Sequence, residues 1–272
     1  MKFQLFQGDA TEVMKTIPSS SVDLVVTSPP YNAGKSYEEK LTDEEYYRFV
    51  LPVAMEFKRV LKNDGRFAVN IITNINRING DDTKDVLFPF FGWIDALRTS
   101  GLRIKENIIW NQWNSGCETA WGSWKSPSAP HIRHKTENIL LGYNNVWKKE
   151  SRGESDLTEK EFMGYTIDEW SFAPENDRSH PAPFPIELPK RAIKLFSFKG
   201  DTVLDPFLGS GTTMMASLEL GRSCIGIELD PKYVIMTKNR LNWGSSLSEG
   251  IEWEYHDLLN APSQTKIDEV DA

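Results

Sequence analysis

Thr27-Ser28-Pro29-Pro30-Tyr31 gathers a hydroxyl, a rigid turn and an aromatic ring in five residues, directly after the apolar run Val22–Val26. Two consecutive prolines have fixed φ and no free N–H, so they end a strand and hold a stiff loop at its carboxyl end. Open α/β sheets collect their ligands at that edge. The Ser28 hydroxyl and the Pro29 carbonyl are suited to hold the two N–H bonds of a planar amine, and Tyr31 offers a ring for stacking. A ring-conjugated amino group is a poor nucleophile because its lone pair is delocalised. Holding both N–H bonds favours a more tetrahedral nitrogen, aligned for direct in-line attack with no covalent cysteine intermediate. The plain alternative is a strand-ending turn with an incidental tyrosine.

The second candidate site is Val203-Leu204-Asp205-Pro206-Phe207-Leu208-Gly209-Ser210-Gly211-Thr212-Thr213, a strand leading into a glycine-rich turn that opens a helix. Gly209 and Gly211 let backbone approach a ligand closely, and the helix N-terminus offers free N–H groups and a positive dipole end to a carboxylate. The run Ile225-Gly226-Ile227 then ends in Glu228, where an acid can accept from both hydroxyls of a ribose. The methionine carboxylate and nucleoside of S-adenosylmethionine suit this pair. A plain tight turn and a nicotinamide-binding turn share the signature. A dehydrogenase lacks here a proton donor and a glycine fingerprint near the first strand. Ser-Pro-Pro-Tyr separates the cofactors, because an amine-holding edge calls for a methyl donor.

These residues need a scaffold. The pattern predicts a helix over about 10–17, a strand over 22–26, a helix near 43–62 stopped by Asn63-Asp64-Gly65, and a strand over 67–72. A helix near 88–99 and a strand over 104–110 follow, an α/β alternation. From Asn111 to about Pro185 regularity weakens into loops and short elements. Within that stretch the polar run Lys148–Glu161 has the composition of a mobile surface segment. A helix over 186–198, a strand over 202–205, a helix over 211–220 and a strand over 224–228 form a compact βαβ unit. The tail after Ala261 is polar.

The chain has 272 residues, 39% of them hydrophobic, enough for a sizeable core. No apolar stretch is long enough for a membrane span and the N-terminus lacks a secretory pattern, so a cytosolic location is expected. Cys117 and Cys224 show no CxxC spacing and read as ordinary thiols. The net charge is −8, yet eight Lys or Arg face three acids between Arg98 and Lys149, a segment of net +5 that can face nucleic acid. His131 and His134 lack a third ligand, so no metal site is expected. Trp110, Trp113, Trp121 and Trp124 read either as stacking surfaces for bases or as the packing of a small insert.

Taken together the motifs resemble the amino-methylating DNA methyltransferases of restriction–modification systems. The catalytic motif stands about 180 residues before the cofactor motif, the order of the β-class permutation. Gly8-Asp9, Leu61-Lys62-Asn63-Asp64-Gly65 and His180-Pro181-Ala182-Pro183-Phe184-Pro185 extend the likeness over roughly residues 3–240. The resemblance implies a Rossmann-like S-adenosylmethionine-dependent methyltransferase fold: an α/β sheet of about seven mostly parallel strands, helices on both faces and an inserted target-recognition region. By position, residues 1–110 form the catalytic half, 111–178 the recognition insertion, 179–260 the cofactor half and 261–272 a tail.

Carried over by motif, Asp9 meets the cofactor's adenine, Asp205, Phe207, Gly209, Gly211, Thr212 and Thr213 its methionine end, and Glu228 its ribose. Phe184 and Pro185 flank the methionine pocket, while Ser28, Pro29, Pro30 and Tyr31 hold the target base. Lys35, Lys125, Arg133 and Lys135 are candidates for DNA contact, with a solvated surface as the alternative. The resemblance implies double-stranded DNA as substrate, one base flipped out of the helix, and a cognate restriction endonuclease as the associated activity, in a monomer or homodimer. Ser at the first motif position favours the N4 of cytosine, whereas Asn32 after the tyrosine is common among adenine-N6 enzymes. Methylation of an RNA base or a protein amide, and a non-catalytic nucleoside- or DNA-binding module, are the other readings.

Overall fold

The computed structural model describes residues 1–32, 41–75, 86–112, 123, 125–128, 130, 132, 134–174, 185–244 and 250–259. In chain order the elements are β1 (Lys2–Gln7), α1 (Ala10–Met14), β2 (Val22–Thr27), α2 (Asp43–Val60), β3 (Leu61–Ile71), α3 (Pro89–Thr99), β4 (Arg103–Asn111) and β5 (Thr136–Tyr143). They continue with α4 (Glu159–Tyr165), β6 (Glu169–Ser171), α5 (Glu187–Phe196), β7 (Thr202–Asp205), α6 (Thr212–Glu219), β8 (Ser223–Glu228), α7 (Pro231–Arg240) and β9 (Glu252–Asp257).

Among the described residues the strands form one nine-stranded sheet in the order β6-β4-β5-β3-β2-β7-β8-β1-β9. All pairings are parallel except those of β5 with β3 and β4. The sheet is wider than the seven strands expected, because β6 and β9 extend its two edges. Every residue of β2 is buried, the signature of a parallel strand covered on both faces. Side chains of α1, α2 and α3, such as Met14, Phe57 and Trp93, join Val25 and Phe67 in a core on one face. Leu188, Met214 and Val234 of α5, α6 and α7 join Leu24 and Val26 in a core on the other. No helix of the described residues is long and apolar enough to cross a membrane.

Three expectations change. The second helix stops at Val60, and Asn63-Asp64-Gly65 lie inside β3, where the register with β2 shifts between Val22 and Leu24. Tertiary contacts extend the strand there: Asn144 Nδ2 donates to the Leu61 and Lys62 carbonyls at 2.9 and 3.1 Å, and the Asn145 and Val146 amides donate to Asn63 O. Second, the stretch expected to be irregular contains β5, an eight-residue strand that pairs along its length with β3 and β4 in the middle of the sheet.

Third, the polar run 148–161 is pinned rather than loose. Lys149, 8% exposed, lies 3.4 Å from Asp23 and 3.5 Å from Asp201. Asp156 takes the guanidinium of the fully buried Arg222 on both oxygens at 2.8 Å, and Glu161 pairs with Lys194 at 2.5 Å. Removing the partner of a buried cation is expensive, so Asp156→Ala is expected to lower stability by about 3 kcal/mol. Urea unfolding followed by circular dichroism reads this as an earlier midpoint with an unchanged slope.

Of the four tryptophans, Trp110 is core: it is 3% exposed, stacks on Phe172 at 5.3 Å and donates from Nε1 to the Phe172 carbonyl. Trp113, Trp121, Trp124, Cys117, His131 and His180 lie outside the described residues. Cys224 is buried in β8 among apolar groups, and burial pushes its thiol pKa up.

Candidate active site

The chain reverses its direction of travel across the sheet between the adjacent strands β2 and β7, and the carboxyl ends of β1, β2, β7 and β8 share one edge. That switch point leaves a crevice between diverging connections. Asp9 follows β1, Ser28–Tyr31 follow β2, Phe207–Gly211 follow β7, and Glu228 ends β8. The two motifs, far apart in sequence, meet directly: Thr27 Oγ1 donates to Asp205 Oδ1 at 2.7 Å, fully buried.

Asp205 is 2% exposed and also accepts from the Phe207 amide at 3.1 Å, which folds the chain into the glycine turn. Burial pushes its carboxyl pKa up to about 6. A group raised in the folded state contributes stability that is present below its unfolded pKa and lost as pH rises through the folded value. Asp205→Asn keeps an oxygen for both bonds and has no charge to bury. Its stability relative to wild type is therefore expected to improve by up to about 3 kcal/mol between pH 4 and pH 7, measured by urea midpoints at each pH.

The turn has the form of a cradle. Gly209 and Gly211 have φ of 55° and 86°, the left-handed region, and a Cβ on Gly211 would lie 2.9 Å from Thr237. Gly211 caps α6 with no side-chain hydrogen bond, so first-turn N–H groups are available to an anion. Arg240 of α7 adds a guanidinium there, donating to Thr212 Oγ1 at 3.0 Å. Glu228 accepts from the Gly209 amide at 2.7 Å and the Asp230 amide at 2.8 Å, one bond on each oxygen, and each oxygen keeps capacity for a ribose hydroxyl. Burial raises the Glu228 pKa. This donor set fits a nucleoside bearing a carboxylate.

Asp9 caps α1, accepting from the Thr11 and Glu12 amides, and borders an open groove of 700 Å³ shared with Arg48, Phe49 and Met55 of α2. Phe49 meets Phe207 with ring centroids 6.2 Å apart, linking that groove to the glycine turn.

On the β2 side the loop is clamped. The Tyr46 hydroxyl donates to the Pro30 carbonyl at 2.8 Å and accepts from Trp93 Nε1 at 3.1 Å. Asn32, at φ 63° and 3% exposed, exchanges two hydrogen bonds with the Leu41 backbone. Ser28 Oγ lies 2.9 Å from the Tyr31 hydroxyl, which donates to Glu137 Oε2 at 2.7 Å. Asn70 Nδ2 donates to both the Tyr31 hydroxyl and Glu137 Oε2 at 2.7 Å, and Gln112 Nε2 donates to Glu137 Oε1 at 2.6 Å. Burial, then the Glu137 charge, raises the Tyr31 pKa well above the ordinary tyrosine range.

Sequence reasoning missed Tyr46, Asn70, Gln112, Glu137 and Arg240. Only Glu137 carried a local signal, a carboxylate opening the apolar run Ile139–Leu141. Of the other expected residues, Pro185 is buried just ahead of α5, accepting from the Leu188 amide. Lys125, Lys135 and His134 are exposed, and Lys135 reaches the crevice edge only through its carbonyl, which accepts from the Gln112 amide. Lys35, Arg133 and Phe184 lie outside the described residues. No group of three His, Cys, Asp or Glu placed to hold a metal occurs among the described residues.

An amine-holding loop facing a nucleoside cradle across a switch point defines an S-adenosylmethionine-dependent methyltransferase, and comparison with known proteins makes the class particular. A family model described as DNA methylase, covering N6- and N4-directed enzymes, matches residues 22–239, and the chain belongs to that family. Type II methyltransferase M.MjaVI of Methanocaldococcus jannaschii is 36% identical over 166 residues, 60% of this chain and 82% of its own. DNA adenine methyltransferase YhdJ of Escherichia coli is 28% identical, spanning 98% of this chain and 92% of its own. Among solved structures, a DNA modification methylase of Thermus thermophilus, TTHA0409, in complex with S-adenosyl-L-methionine, superposes with a TM-score of 0.75 at 29% identity, over 94% of this chain and 98% of that one. The protein is an S-adenosylmethionine-dependent DNA methyltransferase of the restriction–modification kind.

Proposed function

We propose that the enzyme methylates the exocyclic N4 of a cytosine flipped out of a short duplex sequence. The observation that carries this reading is the neutral hydroxyl of Ser28 at the mouth of the β2 loop, clamped by Tyr46 through the Pro30 carbonyl. Ser28 and the Pro29 carbonyl hold the amino group. Tyr31, fixed at its hydroxyl, presents its ring for stacking on the base, a contact worth about 1–3 kcal/mol.

Asp205, Phe207, Gly209, Gly211, Thr212 and Thr213, with Phe184 and Pro185, hold the methionine end of the cofactor. Glu228 holds its ribose and Asp9 borders its adenine. When bound, the cofactor supplies an electrophilic methyl on a sulfonium, and the protein's part is to place the amino nitrogen in line with it.

Target recognition falls to the flanks of β5 within 111–178, with Lys125, Arg133 and Lys135 on the DNA side and Lys35 near the flipped nucleotide. Thr136–Tyr143 itself serves the sheet. A paired endonuclease acting on the same sequence is the corresponding partner activity.

Adenine N6 is the second reading. It is supported by Asn32, which follows the tyrosine and is built into the loop by its bonds to Leu41, and by the similarity to YhdJ. The test is to incubate the enzyme with labelled S-adenosylmethionine and whole-genome-amplified DNA, which carries no methyl marks, then digest to nucleosides for mass spectrometry. N4-methylcytosine is the expected product. N6-methyladenine replaces it with the second reading, and unlabelled DNA sinks both.

A further inference from the structure

The hydrogen bonds behind Ser28 converge on Glu137. It is the second residue of β5 and stands opposite Trp110 of β4 in the antiparallel ladder, half-buried at the edge where β2 ends. Its Oε1 accepts from Gln112, and its Oε2 accepts from Asn70 and from the Tyr31 hydroxyl.

Counting donors gives this chain a direction. A phenol has one proton, and that of Tyr31 goes to Glu137. The 2.9 Å bond between Ser28 and Tyr31 is then donated by Ser28, and the same phenolic oxygen accepts from Asn70. With its proton turned inward, the Ser28 oxygen offers lone pairs to what lies in front of it. In the opposite polarity its proton would confront the N–H of the target, donor against donor.

We infer that Glu137 sets this polarity and is the final acceptor of the proton that the target amino group must release. The inference rests on the amino-methylation reading above. As the nitrogen–carbon bond forms, sulfur keeps the electron pair of the breaking carbon–sulfur bond and the nitrogen becomes cationic. It then gives one proton to Ser28 Oγ, whose own proton passes to Tyr31, whose proton passes to the Glu137 carboxylate. Charge and atoms balance, Ser28 and Tyr31 end as they began, and the proton leaves from Glu137 to solvent. The raised Tyr31 pKa keeps the phenol neutral between turnovers. Glu137 touches no substrate in this scheme, so it is a positioning residue and a proton sink acting through Tyr31.

The experiment measures single-turnover methyl transfer to whole-genome-amplified DNA with enzyme in excess, together with cofactor and DNA affinities. Glu137→Gln keeps the size of the side chain but not its charge. It is expected to slow transfer on the order of 10²-fold while both affinities stay within about threefold. Glu137→Asp, which keeps the carboxylate, recovers part of the rate. Tyr31→Phe cuts the same chain from the other end and slows transfer by a similar factor. The double variant is no slower than the worse single one, because parts of one relay do not contribute additively.

A Glu137→Gln enzyme at the wild-type rate overturns the inference. So does a loss confined to affinity, or single-variant losses that multiply in the double. If Glu137→Gln shows no cooperative melt, Tyr31→Phe decides alone, and a wild-type rate there overturns the relay. A wild-type enzyme that labels no DNA removes the methylation reading beneath it, so the two failures are distinguishable.

Discussion

An enzyme carrying Ser28→Ala is expected to bind S-adenosylmethionine and DNA as the wild type does and to transfer methyl on the order of 10²–10³ times more slowly, the size of effect seen when one group that stabilises developing charge is removed. The reason is geometric. Ser28 is the member of the chain that faces the amine, and removing its oxygen leaves the nitrogen without an acceptor as it turns tetrahedral. The cofactor cradle is built on β7, α6 and β8 and does not use this hydroxyl. Tyr31 keeps its bonds to Glu137 and Asn70, so the loop is expected to hold its shape. Single-turnover labelling beside equilibrium titrations separates the two quantities. If Ser28→Ala transfers at the wild-type rate, the amine is held elsewhere.

The second large effect is expected at Gly211. Its φ of 86° excludes a β-branched side chain at a penalty of roughly 1–2 kcal/mol or more, and a Cβ there would stand 2.9 Å from Thr237 Cγ2 and Oγ1. Thr237 is fully buried and cannot step aside, and its hydroxyl holds the Gly209 carbonyl at 3.1 Å. Strain at Gly211 is therefore passed to Gly209 and to its bond with Glu228. Gly211→Val is expected to weaken S-adenosylmethionine binding by at least about 10²-fold in calorimetry, roughly 3 kcal/mol. DNA binding, measured by fluorescence anisotropy, should be largely retained. Unchanged cofactor affinity would place the nucleoside site away from this turn.

The parts of the fold that were legible in the sequence are those whose cause is local. The run 22–26 ended by two prolines had to be a buried strand followed by a stiff loop, and the structure has β2 there with every residue buried. The glycine-rich turn between an apolar run and a helix is equally local, and its positive φ values are of the kind glycine permits. β5 was not legible because its apolar core is only Ile139–Leu141, framed by polar residues, and it becomes a strand by pairing with β3 and β4. The same holds for Asn63-Asp64-Gly65, whose composition reads as a turn while the 144–150 segment draws it into β3. The polar run 148–161 looked unattached because composition does not show that Asp156 is the counter-charge of a buried arginine 66 positions away.

By itself the sequence determined which chemical groups this protein brings to its reaction: a hydroxyl on a proline-stiffened loop, a nucleoside cradle, and their order along the chain. These follow from side-chain types and from backbone preferences that act within a few residues. The tertiary structure decided how those groups are joined. It put Thr27 on Asp205, clamped Pro30 with Tyr46, and brought Glu137 from the reversed strand to Tyr31, which turns the Ser28 proton away from the crevice. Such links depend on strand order and on the direction of single hydrogen bonds between residues tens to hundreds of positions apart, and these exist only once the sheet has formed.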